Sequence, residues 1–329
     1  MKRRALVLGS FIFALAVLAG SARPALAAER SAELRIGYQK IGALLILKEQ
    51  GLLDKRLAEA GVTVKWVQFQ SGPPLIEALN AGAIDFGYVG DTPPLFAQAS
   101  GVPFVYVASI PQPGKSNAIL VRNDSGIKST SDLRGKKIAL VKGSSAQNVL
   151  VQVLQKANIP LDDVSPVYLQ PADAGAAIQS GAVDAWSIWD PFYAVGERYP
   201  GVRVLTDAVG VAPSNAFFLA SREYARHNQA TIQTVVEEAR RAWHWAQGHQ
   251  DELARVLADA SGVDLAVEKV VAARTNYEVF YITSDIVRQQ QAIADTFSKL
   301  GLIPHPIQIN EVVWTPNGKA LSSTGEAQR

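Results

Sequence analysis

The chain has 329 residues, 48% of them hydrophobic and 19% charged, a balance that builds a buried core and excludes a disordered chain. A length of this order suits two domains, each large enough to bury its own core. There is no cysteine, which excludes a disulfide framework, thiolate chemistry and a lipid-anchor site, and the formal net charge is +2.

The first 28 residues carry the marks of a secretory signal peptide. Lys2, Arg3 and Arg4 lead an apolar run over 6–18, and Ala25-Leu26-Ala27 is a small-x-small cleavage site. Removing Lys2, Arg3, Arg4 and Arg23 leaves 28 basic against 30 acidic side chains, a net of −2, so no nucleic-acid partner is expected. No later stretch has the roughly eighteen continuous apolar residues of a membrane span.

From there the pattern reads as a strand over 33–38, a mostly apolar helix over 42–50 stopped by Gly51, a helix or turn over 52–60, and an alternating strand over 62–69. Ser71-Gly72-Pro73-Pro74 opens a helix over 75–81, with Ser71 or Gly72 as its cap. A strand over 84–89 delivers Gly90-Asp91-Thr92, and Pro93-Pro94 begins the helix that runs to 99. Strands over 104–110 and 118–122 flank the Pro/Gly-rich segment PQPGKSN, where the chain is expected to leave its first lobe. A strand over 137–141 leads into Gly143-Ser144-Ser145, followed by a helix over 146–157, a strand over 164–169, a helix over 172–180 and a strand over 183–188. Val211-Ala212-Pro213-Ser214-Asn215 marks the return, with a strand over 216–220 after it. Helices over 231–247, 251–260, 265–274 and 285–300 complete the chain and are assigned to the first lobe as an outer layer.

Residues 177–191, AIQSGAVDAWSIWDP, nearly copy residues 78–93, ALNAGAIDFGYVGDTP. Ala177, Gly181, Ala182, Asp184 and Asp190 fall on Ala78, Gly82, Ala83, Asp85 and Asp91 without a gap. The strands at 35–40 and 137–142, and those at 66–69 and 167–169, pair at nearly the same offset. Three pairs in one order imply two lobes of one β-α-β-α-β type, an α/β fold. The expected boundaries are 1–28 for the signal, 29–114 for the first lobe, 115–213 for the second, 214–318 for the return and 319–329 for a disordered tail.

In open α/β sheets a ligand sits beyond the carboxyl ends of the strands, where helix starts present unpaired N–H groups. Four such starts converge here, at 39–42, 71–73, 90–92 and 143–145, all rich in small and neutral polar residues that suit an anion. Lys142-Gly143-Ser144-Ser145 is the sharpest of them, read either as an anion site or as an ordinary N-cap; it lacks the spacing of a Walker A loop. Asp91 and Asp190 stand beside prolines at helix starts, where capping is the simpler reading and contact with a ligand amine or hydroxyl the other. Trp186 and Trp189 point to opposite faces of one strand: Trp186 into the core, Trp189 into packing or against an organic tail. His227, His244, His249 and His305 have no metal spacing, and no serine–histidine arrangement supports a hydrolase.

These motifs, namely Ile36-Gly37-Tyr38-Gln39-Lys40, Gly90-Asp91-x-Pro93-Pro94, Lys142-Gly143-Ser144-Ser145, Asp184-Ala185-Trp186-x-Ile188-Trp189-Asp190-Pro191 and Trp314-x-Pro316, closely resemble the aliphatic-sulfonate-binding proteins of bacterial ABC importers. The resemblance spans about 33–316. It implies a type II periplasmic binding protein fold, with mixed central sheets flanked by helices and two lobes on a two-strand hinge closing over the ligand. It implies alkanesulfonate capture for sulfur acquisition, a periplasmic monomer, delivery to an ABC permease in the inner membrane, and no cofactor. Position by position it places Gln39, Gly90, Asp91, Thr92, Ser144, Ser145, Trp189 and Asp190 in the cleft, with Ser214 and Asn215 at the returning hinge. One departure is Ala146-Gln147, where relatives often carry serine and histidine. Relatives that bind taurine, nitrate or pyrimidines share the fold and stand as alternatives. An exported enzyme using Asp91 and Asp190 as acid and base is the competing class; no metal, nucleophile or cofactor motif accompanies them.

Overall fold

The computed structural model describes residues 32–112, 114–211, 214–318 and 321. The expected signal peptide, residues 113, 212 and 213 of the expected crossings, and most of the expected tail lie outside the described residues.

The first stretch runs β1 (Ala32–Tyr38), α1 (Ala43–Gln50), α2 (Leu52–Glu59), β2 (Val62–Gln68), α3 (Gly72–Asn80), β3 (Phe86–Val89), α4 (Pro93–Ala99) and β4 (Phe104–Gln112). The second runs β5 (Asn117–Arg122), β6 (Lys137–Leu140), α5 (Ser145–Lys156), β7 (Ser165–Tyr168), α6 (Pro171–Ser180), β8 (Ala185–Trp189), α7 (Phe192–Gly196) and β9 (Val202–Asp207). After these come β10 (Ser214–Ser221), α8 (Arg222–His227), α9 (Gln229–Gly248), α10 (Gln250–Ser261), α11 (Leu265–Arg274), β11 (Phe280–Tyr281) and α12 (Ser284–Lys299). The stop signals act as their chemistry requires. Gly51 and Gly181 adopt left-handed φ of 63° and 78° at the ends of α1 and α6, where a side chain would be strained. Prolines fill the first turns of α3, α4 and α6, where no N–H is needed.

Two mixed sheets result, ordered β11-β4-β10-β3-β1-β2 and β7-β6-β8-β5-β9. In the first, β1 runs parallel to β2 and β3, while β10 is antiparallel to β3 and β4. In the second, β6 runs parallel to β7 and β8, while β5 is antiparallel to β8 and β9. The series β2-β1-β3-β10-β4 and β7-β6-β8-β5-β9 are therefore one topology written twice. In each, the antiparallel strand is the one that has just crossed from the other sheet.

The sequence repeat captures three of the four parallel pairs and misses β4 with β9. Strand β9 lies at a sheet edge and is only half-buried over most of its length, so hydrophobic alternation does not mark it. Helix α8 and strand β11, with six and two residues, are too short to show a period.

Each sheet is covered on both faces. Leu44, Ile46 and Leu47 of α1, with Val235, Ala239 and Trp243 of α9, pack on Ile36, Phe86 and Phe218. Leu75 of α3, Leu95 of α4 and Phe297 of α12 pack on the other face against Val89, Phe104 and Phe217. The neighbours Phe217 and Phe218 thus serve opposite cores, as strand alternation dictates. Around the second sheet, Leu150 and Leu154 of α5 meet Ile119 and Ile138, while Ile178 of α6 meets Leu120 and Trp186. Helix α11 puts Ala272 into the first sheet's core, and its Val267 and Val271 pack with Ala194 of α7, so it touches the second sheet's helices as well.

Candidate functional site

The carboxyl ends of β1, β3, β6 and β8 meet at one cavity of about 70 Å³. Gln39, Gly90, Asp91, Ser144, Ser145, Trp189, Asp190, Ser214 and Asn215 all line it. Thr92 is the exception among the expected residues: it is fully buried, is not part of the lining, and donates its hydroxyl to Asp91 Oδ1 at 2.8 Å. Gln112, Ser116 and Asn117 join the lining although the sequence marks them only as connector. Their signal was the crossing itself, since a chain passing between two sheets must skirt the space between them.

The turn after β6 is shaped by glycine and serine. Gly143 has φ +72° and its N–H donates to Gln147 Oε1 at 2.7 Å, so the glutamine that departs from relatives locks this turn. Ser144 Oγ donates to Val141 O at 2.7 Å, which spends its proton inside the turn. Of the two serines expected in the cleft, Ser145 therefore carries the hydroxyl proton that is not spent inside the turn. Ser145 opens the 12-residue α5, and the N–H groups of Ser145 and Ala146 have no acceptor among the described residues. Gly90 faces this helix end from the first sheet. A Cβ added to it would lie 3.0 Å from Ser145 Cβ and Oγ, so a larger residue there would have to push Ser145 aside by a few tenths of an ångström.

The carboxylates behave differently from each other. Asp91 was expected to cap α4, but α4 has no side-chain cap. Instead its Oδ2 accepts from Asn148 Nδ2 of α5 at 2.7 Å, and its carbonyl accepts from Gln290 Nε2 at 2.6 Å. Asp91 therefore ties the first sheet's loop to the second sheet's helix. Asp190 does cap: its Oδ1 accepts from Ala194 N at 3.0 Å in α7. It also receives Arg274 at 3.3 Å, which meets Glu197 at 2.6 Å and lies 4.1 Å from the Tyr193 ring centre. Arg274 carried no sequence signal, because it ends an ordinary helix and reaches Asp190 only through tertiary packing.

A second chamber of about 190 Å³ adjoins the first and shares Gln39, Ile41 and Trp189 with it. Phe69, Pro171, Pro191 and Phe192 make its walls largely apolar, and Lys40 stands at its edge. Trp189 thus lines both cavities, while Trp186 is buried in the core as expected. Among the described residues no cluster of three or more histidines and acids could hold a metal ion, and no helix is long and apolar enough to cross a membrane.

Burial pushes Asp190 up to about 7 in spite of Arg274, and Asp91 up to about 6 in spite of its hydrogen bonds from Thr92 and Asn148. Burial also lifts Glu268 to about 7, with only Ser261 to offset it. All three bind protons more tightly folded than unfolded. Their contribution to stability is complete below the ordinary carboxylate range and is lost as pH rises through 6 and 7. Thermal melting should therefore occur higher at pH 5 than at pH 8, by ~4 °C. A profile that rises toward pH 8 would contradict these environments.

Comparison with known proteins agrees with this architecture. The NMT1/THI5 like family model matches residues 57–253. An aliphatic sulfonates-binding protein of Escherichia coli (strain K12) is 41% identical over 315 residues, 94% of this chain and 98% of that one. The solved alkanesulfonate-binding protein of Xanthomonas axonopodis pv. citri, bound to MOPS, superposes with a TM-score of 0.83 at 39% identity, covering 87% of this chain and 99% of that one. The periplasmic aliphatic sulphonate binding protein from Escherichia coli gives 0.79 at 38%, covering 89% and 96%. A family match over more than half of the chain, joined to relatives aligned almost end to end, places this chain in the NMT1/THI5-like family, among its aliphatic-sulfonate-binding proteins.

Proposed function

We propose that this protein is an extracytoplasmic solute-binding protein that captures aliphatic sulfonates and hands them to an ABC importer for sulfur acquisition. The observation that carries the reading is the α5 N-terminus, with two free N–H groups and the Ser145 hydroxyl, aimed into a cavity lined from both sheets. Among the described residues no lysine or arginine lines that cavity. Neutral donors and a helix end suit a weakly basic anion such as a sulfonate, which needs several hydrogen bonds and no proton partner. Trp189 then flanks the carbon chain where the first cavity passes into the apolar second one.

The two sheets are the cores of two lobes, 29–114 with 214–318 and 115–213, joined where β4 passes to β5 and β9 to β10. Contacts from both lobes exist together only when the lobes meet, so ligand shifts the population toward the closed form, and a permease in the inner membrane reads that form. The expected signal peptide and the periplasmic relatives favour a periplasmic location, where the protein is proposed to act as a monomer. The relatives are binding proteins, and no reaction is assigned to Asp91 or Asp190.

Calorimetric titration with ethanesulfonate, sulfate and nitrate tests this reading. One-to-one binding of ethanesulfonate, tighter than either inorganic anion, is the expected outcome. Binding of nitrate alone would overturn it.

A further inference from the structure

A buried polar contact joins the two sheets one helical turn below the α5 N-terminus. Asp91 lies in the loop that follows β3, and Asn148 lies on α5, three residues after Ser145. Asn148 Nδ2 donates to Asp91 Oδ2 at 2.7 Å, and each residue is only 2% exposed. Asp91 is part of the cavity lining, whereas Asn148 is not among the described residues that form it.

Both partners are set in place from their own side. Thr92 Oγ1 donates to Asp91 Oδ1 at 2.8 Å, and Gln290 Nε2, which is also 3.2 Å from the Tyr106 hydroxyl, donates to the Asp91 carbonyl at 2.6 Å. Across the cleft, Gln152 Nε2 donates to Asn148 Oδ1 at 3.3 Å, which leaves the Asn148 amide hydrogens for Asp91. Of these bonds only the one from Asn148 to Asp91 passes from one sheet's elements to the other's. Beside it Gly90 approaches Ser145, and Ser71 Oγ donates to Gln170 Oε1 at 3.2 Å between the starts of α3 and α6.

When the lobes part, water reaches the carboxylate and the amide; when they meet, each replaces water with the other. A hydrogen bond to a charged group that exists only in the shut form stabilises that form by the bond's net contribution. Affinity follows in proportion, because the apparent dissociation constant is the intrinsic one divided by the fraction competent to hold the ligand.

We infer that the Asp91–Asn148 bond is a latch, with Asn148 a positioning residue that sets ligand affinity by holding the two lobes shut and without touching the ligand. The inference rests on the two-lobe closure described above and goes beyond it, since part of what favours closing then belongs to the protein and not to its guest.

The test is stopped-flow tryptophan fluorescence with ethanesulfonate at pH 8, since Trp189 lines the cavity. Asn148→Ala, which suits a helix, is expected to raise the dissociation constant at least about tenfold, nearly all of it as faster release. Asn148→Asp sets a second carboxylate against Asp91 and should weaken binding about a hundredfold. Adding Asp91→Asn to Asn148→Asp restores a donor facing an acceptor with the polarity reversed, and should recover at least about tenfold of that loss. A residue that merely shapes its own helix would show no such rescue. Unchanged affinity and release in Asn148→Ala, or a double variant that binds no better than Asn148→Asp, would overturn the latch and leave the sulfonate reading intact. Asn148→Ala decides the matter even if the charged variants fail to fold. If the wild-type protein binds no ethanesulfonate, the sulfonate reading falls, and X-ray scattering of the ligand-free proteins decides the latch: Asn148→Ala should have the larger radius of gyration, and equal radii would overturn it.

Discussion

Ser145→Pro is expected to weaken ethanesulfonate binding at least about a hundredfold while leaving the melting temperature within about 2 °C. Proline at the first helical position keeps the helix, because that N–H has no intrahelical acceptor and proline's φ is already helical. The preceding Ser144 is extended, with φ −101° and ψ 169°, which is the conformation a following proline requires. What the substitution removes is the Ser145 N–H and its hydroxyl, two donors at the point where the helix end faces Gly90. Hydrogen bonds to a charged group contribute roughly 1.5–3 kcal/mol each, and two of them exceed the ~2.7 kcal/mol that a hundredfold change in affinity needs.

Ser144→Ala is the contrasting case. Its hydroxyl already donates to Val141 O, so its loss should cost ~1 kcal/mol of stability and little affinity. Calorimetry for affinity and scanning calorimetry for stability separate the two variants. Equal loss of affinity in both would mean that the serine hydroxyls, and not the end of α5, hold the anion.

That contrast also shows where sequence reasoning reached and where it stopped. Gln39, Gly90 and Asp190 could be found because each follows the last residue of a parallel strand, and Ser145 because it closes the turn after another; the repeat between 78–93 and 177–191 marks the ends of two of these strands, β3 and β8. Side-chain direction was not legible in the same way. Thr92 is next to Asp91 but turns inward to it, and the proton of Ser144 goes to its own turn. The partners Asn148, Gln290 and Arg274 lie 57, 199 and 84 residues from the aspartates they meet. No periodicity within one element encodes a meeting of that kind; it follows from how α5, α12 and α11 dock. Strand β9 escaped for a related reason, since an edge strand that buries little needs little hydrophobic pattern.

The second large effect should come from Arg274→Met, which is expected to cost ~3 kcal/mol of stability at pH 8 and much less at pH 5. Methionine keeps most of the unbranched stem that lies over Tyr193, so the main loss is the charge. Without it, a fully buried carboxylate at Asp190 and the half-buried Glu197 lose the cation they share. Arg274 lowers the Asp190 value, which burial has raised to about 7, so its removal raises that value further. The folded variant then holds the Asp190 proton to a higher pH than the unfolded chain does, and the stability linked to that proton is lost over a window displaced above 7. At pH 5 Asp190 is protonated in both proteins and needs no cation, so their melting temperatures should converge. Scanning calorimetry at the two pH values measures the difference directly. A loss of equal size at both would assign the role of Arg274 to its stacking on Tyr193, and α11 would then be held against α7 by that stacking together with the contacts of Val267 and Val271, and not by the ion pair.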